Sequence, residues 1–173
     1  MLRKTYMSWR FCLVMGLVVL LGGCQSGFFV SPQSFVGKTA DQVVAARGVP
    51  SARISMPDGT ERLQYSGQPW GRYVWNFDLD ASGQVRRVYQ ALQESCFVQI
   101  PHDGSWGAQE VLREFGVPAS VDHVMSWKGD IWKYRWSSAN TDMFYYIYFD
   151  QNGRVRRSEA GMDYTRERFD WSR

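Results

Sequence analysis

The sequence predicts an α+β fold built from two tandem units, each a short helical segment followed by an antiparallel β-meander. Three observations predict it. Motifs of the first half recur in the second half, each copy opens on helix-capping residues, and each closes on a turn dipeptide between strand-like runs. The resulting boundaries are 35–99 for unit 1 and 100–160 for unit 2, followed by a C-terminal tail at 161–173.

The internal repeat is the strongest of these signals. Three motifs recur in the same order, at spacings of 68, 69 and 70 residues: 48–50 with 116–118, 63–65 with 132–134, and 79–87 with 149–157. The spacing drifts only across turns, where insertions are tolerated. A duplicated unit is therefore the simplest description of the body.

Each copy begins with a predicted helix. Thr39 stands at the N-cap with Gln42 three residues on, which is the pattern of a capping box, and Gly48 ends the helix. Gly107 and Glu110 occupy the equivalent positions in the second copy. Both helices span only two to three turns, so tertiary packing must stabilise them.

Strands follow each helix. In residues 73–79 the odd positions are large and apolar, whereas the even positions are Val74, Asn76 and Asp78, so the alternation predicts one buried face. The dipeptides Ser82-Gly83 and Asn152-Gly153 predict a hairpin at the end of each unit. Shorter strands are predicted at 52–56, 61–65, 121–126 and 131–136.

The first 23 residues have the pattern of a secretory signal peptide. Basic residues precede an apolar run at 11–21, which is too short to span a bilayer comfortably. The alternative is an N-terminal membrane anchor that is never cut. Leu21-Gly22-Gly23-Cys24 resembles the lipobox of bacterial lipoproteins. That resemblance implies cleavage before Cys24 and its acylation with diacylglycerol and a fatty acid such as palmitate.

The lipobox resemblance also implies a location. The residue after Cys24 is Gln25 and not Asp, which by the sorting rules of bacterial lipoproteins favours transfer to the outer membrane. Residues 24–34 are then expected to form a lipidated tether, with the body in the periplasm. Several acyl chains hold a protein firmly on a membrane.

The distribution of charge argues against nucleic acid as a partner. The 173 residues carry 20 Lys+Arg against 17 Asp+Glu, but Arg3, Lys4 and Arg10 lie in the segment to be removed. The mature chain therefore balances 17 basic against 17 acidic residues, which argues against nucleic acid. Cys96 is the one cysteine left after Cys12 and Cys24, so it is either buried as a small hydrophobe or pairs between chains.

Together these features resemble the SmpA/OmlA, or BamE-like, family of outer-membrane lipoproteins. The shared features are the lipobox, a short helix ending in Gly-x-Pro, an aromatic strand and a closing hairpin, found here at Cys24, 48–50 and 116–118, 65 and 132–134, and 79–85 and 149–155. The resemblance implies a scaffold or accessory factor in cell-envelope and outer-membrane protein assembly. A tandem of such units is also similar in plan to the β-lactamase inhibitor proteins, which implies the alternative of capturing a soluble periplasmic protein on a sheet.

Catalytic chemistry is weakly supported, and we expect no enzyme activity, no cofactor, no metal and no small-molecule substrate. His102, Asp103 and Ser105 lie close in sequence, but three neighbouring polar residues usually form only a loop. Asp122-His123 is no stronger, and no metal-ligand or phosphate-binding motif is present in the sequence. A lipid-transport role is a third hypothesis, but it requires a deep apolar cavity that such short units are not expected to enclose.

The clearest candidate for a partner surface is in the second unit. Phe144, Tyr146 and Tyr148 lie on the strand face opposite the predicted core, where unit 1 has Val74, Asn76 and Asp78. An exposed row of aromatics indicates an interface, whereas the alternative is packing against unit 1 or the C-terminal tail. The same region is expected to include further aromatics: Trp127, Trp132 and Trp136.

A repeated Val-Arg-Arg places Arg86 and Arg87 on one final strand and Arg156 and Arg157 on the other. One arginine of each pair is expected to point to solvent and the other to lie near the sheet edge. Arg86 and Arg156 either protect the edge from aggregation or contact lipid head groups or an acidic partner.

Overall fold

The computed structural model describes residues 31–164. The predicted signal peptide, Cys24 and the part of the tail beyond Tyr164 lie outside the described residues. Within residues 31–164, no helix is both long and apolar enough to span a membrane.

The described chain contains few helices and eight strands. A short 3-10 helix covers Pro32–Phe35, and the α-helices are α1 (Ala40–Arg47), α2 (Glu94–Phe97) and α3 (Ala108–Phe115). The strands of the first half are β1 (Ala52–Ser55), β2 (Glu61–Ser66), β3 (Val74–Leu79) and β4 (Val85–Gln90). Those of the second half are β5 (Ser120–Val124), β6 (Trp127–Ser138), β7 (Thr141–Phe149) and β8 (Val155–Met162).

The strands form two four-stranded antiparallel sheets in chain order, β1-β2-β3-β4 (sheet 1) and β5-β6-β7-β8 (sheet 2). The prediction of a mixed fold with antiparallel sheets is confirmed at this level. The helix starts are also as predicted. Thr39 Oγ1 accepts from the Gln42 N–H at 3.3 Å, and Gln42 Oε1 accepts from the Thr39 N–H at 3.0 Å. In α3, Glu110 Oε2 accepts from the Gly107 N–H at 2.8 Å.

A β-bulge interrupts the last strand of each sheet. In sheet 1, Asp78 pairs with Arg87 but Leu79 pairs with Val85, which leaves Arg86 as the extra residue. The same shift in sheet 2 makes Arg156 the extra residue. Both arginines of each Val-Arg-Arg are exposed, because the bulge turns the extra residue outward beside its neighbour.

Two hydrophobic clusters stabilise the sheets. The first packs the 3-10 helix and α1 against one face of sheet 1: Phe35, Val43, Leu63, Tyr65, Phe77, Leu79, Val85 and Val88. The second packs α3 and the segment from Ala91 to Ile100 against sheet 2, with Phe115, Tyr134, Ile147 and Phe149 among its members. Cys96 belongs to this second cluster and is buried.

The prediction of a single buried face for β3 is wrong. Val74, Asn76 and Asp78 are as buried as the apolar positions between them, with exposures of 0%, 0% and 5%. The reason is α3, which lies between the two sheets. Its last turn accepts a hydrogen bond from Asn76 and is joined to Asp78 through Arg62. Val74 and the apolar side of α3 belong to the second cluster.

Candidate protein-interaction surface

The covered face of sheet 1 is a polar layer that binds the end of α3. Arg62, which is 4% exposed, donates from Nε to Asp78 at 2.6 Å and from Nη1 to Glu114 at 3.0 Å. Its Nη1 also donates to the carbonyl of Arg113 at 2.8 Å. Because the last carbonyls of a helix have no partner within the helix, these bonds cap α3 from the neighbouring sheet.

The remaining groups of this layer complete the cap. Asn76 Nδ2 donates to the Glu114 carbonyl at 2.8 Å, and Gln64 Nε2 donates to Asn76 Oδ1 at 3.0 Å. The Tyr89 hydroxyl donates to the Glu114 carboxylate at 2.8 Å. Burial, reinforced by the charge of Glu114, raises the pKa of Tyr89 well above its usual value. The layer is therefore a hydrogen-bonded structural network, and the raised pKa of Tyr89 follows from burial within it.

The equivalent face of sheet 2 carries the aromatic row, defined as Phe144, Tyr146 and Tyr148. Neither hydrophobic cluster includes these residues. Phe144 is 5% exposed, whereas Tyr146 and Tyr148 are half-buried. The contacts described for the row come from β6 and β8 of its own sheet.

Cations flank the row from both sides. Lys133 Nζ lies 4.9 Å from the Phe144 ring centroid, and the Arg135 guanidinium carbon lies 4.8 Å from it. The Arg157 guanidinium carbon lies 5.0 Å from the Tyr148 ring centroid. Cations over aromatic faces attract the rings and cover part of their surface with their stems.

Each of these cations also has an acidic partner. Lys133 binds Asp122 at 3.0 Å, Arg135 pairs with Asp163, and Arg157 binds Glu159 at 2.5 Å. The face is therefore aromatic in character, and each of its cations is balanced by an acidic side chain.

The side chain of Tyr148 is oriented by a hydrogen bond to an acidic residue. Its hydroxyl donates to Glu159 Oε1 at 2.6 Å. Burial, together with this bond to Glu159, raises the pKa of Tyr148 to about 12. The bond from Tyr148 in turn lowers the pKa of Glu159 below its usual value, with help from Arg157. The ring of Tyr148 thus keeps a fixed orientation and stays neutral at ordinary pH.

A recess of about 380 Å³ opens at the Tyr148 end of the row. Trp127 forms one wall: its Nε1 donates to the Phe149 carbonyl at 2.7 Å, and its ring stands edge-on to Tyr148 with centroids 5.2 Å apart. Ile131 and Tyr146 contribute further apolar lining. A recess of this size can accept one large side chain.

Of the three tryptophans expected in this region, only Trp127 lies there. Trp132 packs against Phe149 in the second cluster, with ring centroids 4.8 Å apart. Trp136 lies edge-on to Phe97 in the same cluster at 5.2 Å. Strand alternation is the reason, because even positions of β6 face the core opposite the odd positions of β7.

The two arginines singled out by sequence lie away from the row. Arg86 faces Asp58 at 3.5 Å on sheet 1. Arg156 binds Asp150 at 2.7 Å and the Asp103 carbonyl at 2.9 Å. The bulge brings Arg157 to the row in place of Arg156.

Sequence reasoning missed the contributors from β6 and β8. Alternate positions of β6 are occupied by Ile131, Lys133 and Arg135. This period of two predicts that their side chains share one face of the sheet, so it could have identified them from sequence. Glu159 and Arg157 carried no such signal, because the bulge shifts their register.

The sequence-adjacent residues His102, Asp103 and Ser105 do not form one hydrogen-bonded chain in the described structure. His102 Nε2 lies 2.7 Å from Ser158 Oγ, whereas the Asp103 carboxylate accepts from the Ser105 N–H at 2.8 Å. Asp103 and Ser105 thus form a local turn apart from the histidine bond. His123 faces Asp130 at 3.0 Å on an exposed hairpin. Within residues 31–164, no group of three or more His, Cys, Asp or Glu residues could hold a metal ion.

Comparison with known proteins does not assign the chain to a family. No protein-family model and no curated protein matches the chain. Among solved structures, a DUF4309 family protein (YjgB) from Bacillus subtilis is 12% identical, with 74% of this chain and 81% of that chain covered at a TM-score of 0.30.

A second structure, an extracellular protein containing a SCP domain from Bacillus anthracis, is 14% identical, with 78% of this chain covered at a TM-score of 0.32. The match covers 46% of that protein's chain. Scores of this size carry no argument about fold family or function.

Proposed function

We propose that this chain is a non-enzymatic lipoprotein, anchored to the outer membrane through acylated Cys24, whose periplasmic body serves as a scaffold or accessory factor in envelope assembly. The body is a tandem of two BamE-like units, each a helical segment followed by a β-meander. It binds a protein partner through the aromatic row and takes no cofactor or small-molecule substrate. The lipobox and the sequence resemblance support the location.

Paired contacts support the duplication. The Tyr65 hydroxyl donates to the Gly48 carbonyl at 2.9 Å, and Tyr134 makes the same bond to Gly116 at 2.8 Å. Each closing hairpin also has an Asp that accepts from two turn N–H groups: Asp80 from Ser82 and Gln84, and Asp150 from Asn152 and Arg154.

One observation carries the partner proposal. Sheet 1 buries its second face under α3, but the contacts described for the equivalent face of sheet 2 come from its own strands. That face presents half-buried tyrosines beside an open recess. Tyrosine is enriched at protein interfaces because it offers large contact area with few rotatable bonds.

Site-specific photocrosslinking in cells tests the partner. A photoreactive residue is placed at Tyr146, with Tyr73, an exposed tyrosine of the β2–β3 loop, as the matched control. Recovery of β-barrel proteins or assembly factors from Tyr146 alone supports the proposal. Recovery of one soluble periplasmic protein would favour the inhibitor-like alternative, and equal crosslinking from both positions would overturn a specific surface.

Fractionation of a Cys24→Ala variant tests the anchor. Without the thiol no acyl chain can be attached, so the variant should leave the outer-membrane fraction and incorporate no labelled palmitate. Continued fractionation with the outer membrane would contradict the lipid anchor.

A further inference from the structure

We propose that the aromatic row of one copy of this chain binds the outer side of α1 from a second copy, so that copies associate head to tail. This inference rests on the proposed function, because it names a partner for that same surface. The occupant follows from the repeat, since the outer side of α3 already covers the equivalent face of sheet 1 within one chain.

The layers of the described chain end in two matching surfaces. α1 packs through Val43 against sheet 1, and α3 packs through Val111 against sheet 2. Because α3 also contacts sheet 1 with its opposite side, the order of layers is α1, sheet 1, α3 and sheet 2. The sheet of unit 1 thus meets the helix of unit 2 at an internal junction. Within residues 31–164, the outer side of α1 stands at one end of this order and the aromatic row at the other.

The ends of the two helices have the same backbone shape but different surroundings. Gly116 follows α3 and Gly48 follows α1, with φ values of +72° and +81°. A Cβ added at Gly116 would stand 2.8 Å from Gln64 Oε1 of sheet 1, whereas no described atom lies within 4 Å of a Cβ added at Gly48. Ala45 and Ala46, in the last turn of α1, are exposed. The outer side of α1 is therefore accessible for the kind of contact that α3 makes.

Side-chain sizes are reversed between the internal junction and the two end surfaces. Inside the chain, α3 contributes the long side chain of Glu114, and the smaller Asn76 of sheet 1 donates to the Glu114 carbonyl at 2.8 Å. At the repeat spacings of 68 and 70 residues, α1 has Ala46 in place of Glu114 and sheet 2 has Tyr146 in place of Asn76. A large ring on the sheet therefore faces a small side chain on the helix, which allows a similar distance between the two elements.

A cation beside the row suits the end of a helix. The last carbonyls of a helix have no partner within it and carry partial negative charge. At the internal junction, Gln64 Nε2 donates to the Arg113 carbonyl at 3.3 Å. Lys133 takes the position of Gln64 in sheet 2, and its Nζ lies 4.9 Å from the Phe144 ring centroid. An ammonium group has three N–H donors, so Lys133 can keep its bond to Asp122 and donate to a carbonyl of α1 as well.

Association of this kind joins two different surfaces, and it therefore repeats from copy to copy. Each assembly ends in one unoccupied α1 and one unoccupied row. The terminal row stays available for an envelope partner, which is compatible with a scaffold. Attachment of the copies to one membrane would favour their encounter by raising the effective concentration.

Native mass spectrometry of the full chain, purified in mild detergent over a range of concentrations, tests the inference by counting copies. The parent should form dimers and longer oligomers as the concentration rises. Ala46→Arg adds a long side chain to α1, and Tyr146→Ala removes a ring from the row. Each should raise the dissociation constant about tenfold or more. Ala81→Arg, at an exposed alanine in the turn after β3, is the matched control and should behave as the parent.

Mixing the two variants tests the head-to-tail arrangement. Ala46→Arg keeps an intact row, and Tyr146→Ala keeps an intact α1, so the mixture should form a dimer with one copy of each and nothing longer. This recovery would also show that both variants are folded. A parent that stays monomeric at every concentration, oligomers that survive Ala46→Arg, or a mixture that stays monomeric would each overturn the inference.

Failure of this inference can be distinguished from failure of the proposed function. If purified copies stay monomeric but a photoreactive residue at Tyr146 captures envelope proteins in cells, the second copy is the wrong partner and the row remains the interface. If capture from Tyr146 does not exceed capture from Tyr73, the proposed surface itself is wrong.

Discussion

Arg62 and Asp78 form an ion pair at 2.6 Å in the buried layer between sheet 1 and α3, with side-chain exposures of 5% and 7%. The pair is not isolated, because Arg62 also binds Glu114 and the Arg113 carbonyl at the end of α3. It therefore joins the two sheets through the helix between them.

Arg62→Ala is expected to lower the free energy of unfolding by about 3–5 kcal/mol, because it leaves Asp78 and Glu114 without their cation in a buried layer. Arg53→Ala removes an exposed pair with Glu61 on the neighbouring strand and should cost less than about 1 kcal/mol. Urea unfolding of both variants checks the difference. Equal losses would contradict the role of the buried network.

Glu110 should make α3 sensitive to acid. The bond from the Gly107 N–H, with smaller contributions from nearby arginines, holds the pKa of Glu110 below its ordinary value of 4.5. A depressed pKa in the folded state means that the stabilisation is complete above pH 4.5 and is lost as pH falls through the folded-state pKa.

The matched variant for this effect is Glu110→Gln. It keeps an oxygen acceptor but cannot titrate, so its stability deficit relative to the parent should shrink as pH falls below about 4.5. Unfolding titrations across that window measure the deficit. The α1 cap uses the uncharged Gln42, so Gln42→Ala should show a deficit independent of pH, and a constant deficit for Glu110→Gln would refute the prediction.

Gly129 should not tolerate a side chain. Its φ is +154°, and an added Cβ would stand 2.0 Å from the Phe149 carbonyl oxygen, which also accepts from Trp127. Gly129→Ala should therefore cost about 3 kcal/mol and displace the Trp127 wall of the recess.

The control for Gly129 is Gly153→Ala. Gly153 also has a positive φ, +70°, but nothing lies within 4 Å of an added Cβ. Its cost should be about 1–2 kcal/mol, from backbone conformation alone. Thermal unfolding separates the two, and similar losses would show that the steric contact at Phe149 does not matter.

Alanine substitutions at Phe144 and Tyr146 should have different effects, one mainly on the stability of the fold and the other mainly on partner binding. Phe144 is nearly fully buried under Lys133 and Arg135, so Phe144→Ala should cost about 3 kcal/mol. Tyr146→Ala removes a half-buried ring and should cost closer to 1 kcal/mol, yet reduce partner capture by a crosslinker at Tyr148. Unchanged capture with Tyr146→Ala would place the contact elsewhere.

Several local features could be predicted from sequence because neighbouring residues determine them. The capping box of Thr39 and Gln42 and the hairpin turn after Asp80 depend on contacts within four residues. The alternation in β7 likewise predicted which residues form the aromatic row, since side chains of a strand alternate between faces.

The β-bulges could not be predicted from neighbouring residues in the sequence. Arg156 and Arg157 look equivalent in sequence, but the register shift opposite Tyr148 and Phe149 decides which of them meets the row. Register depends on pairing with a strand elsewhere in the chain.

By itself, the sequence determined a mixed fold with antiparallel hairpins, the capped helices and the members of the aromatic row. Only the tertiary structure decided that the polar face of β3 is buried. The alternation of β3 identifies Asn76 and Asp78 as polar positions. It does not show whether their hydrogen-bonding partners are water molecules or the unpaired carbonyls at the end of a helix. Because Arg62, Asn76 and Gln64 satisfy the end of α3, sheet 1 has a cover on both faces.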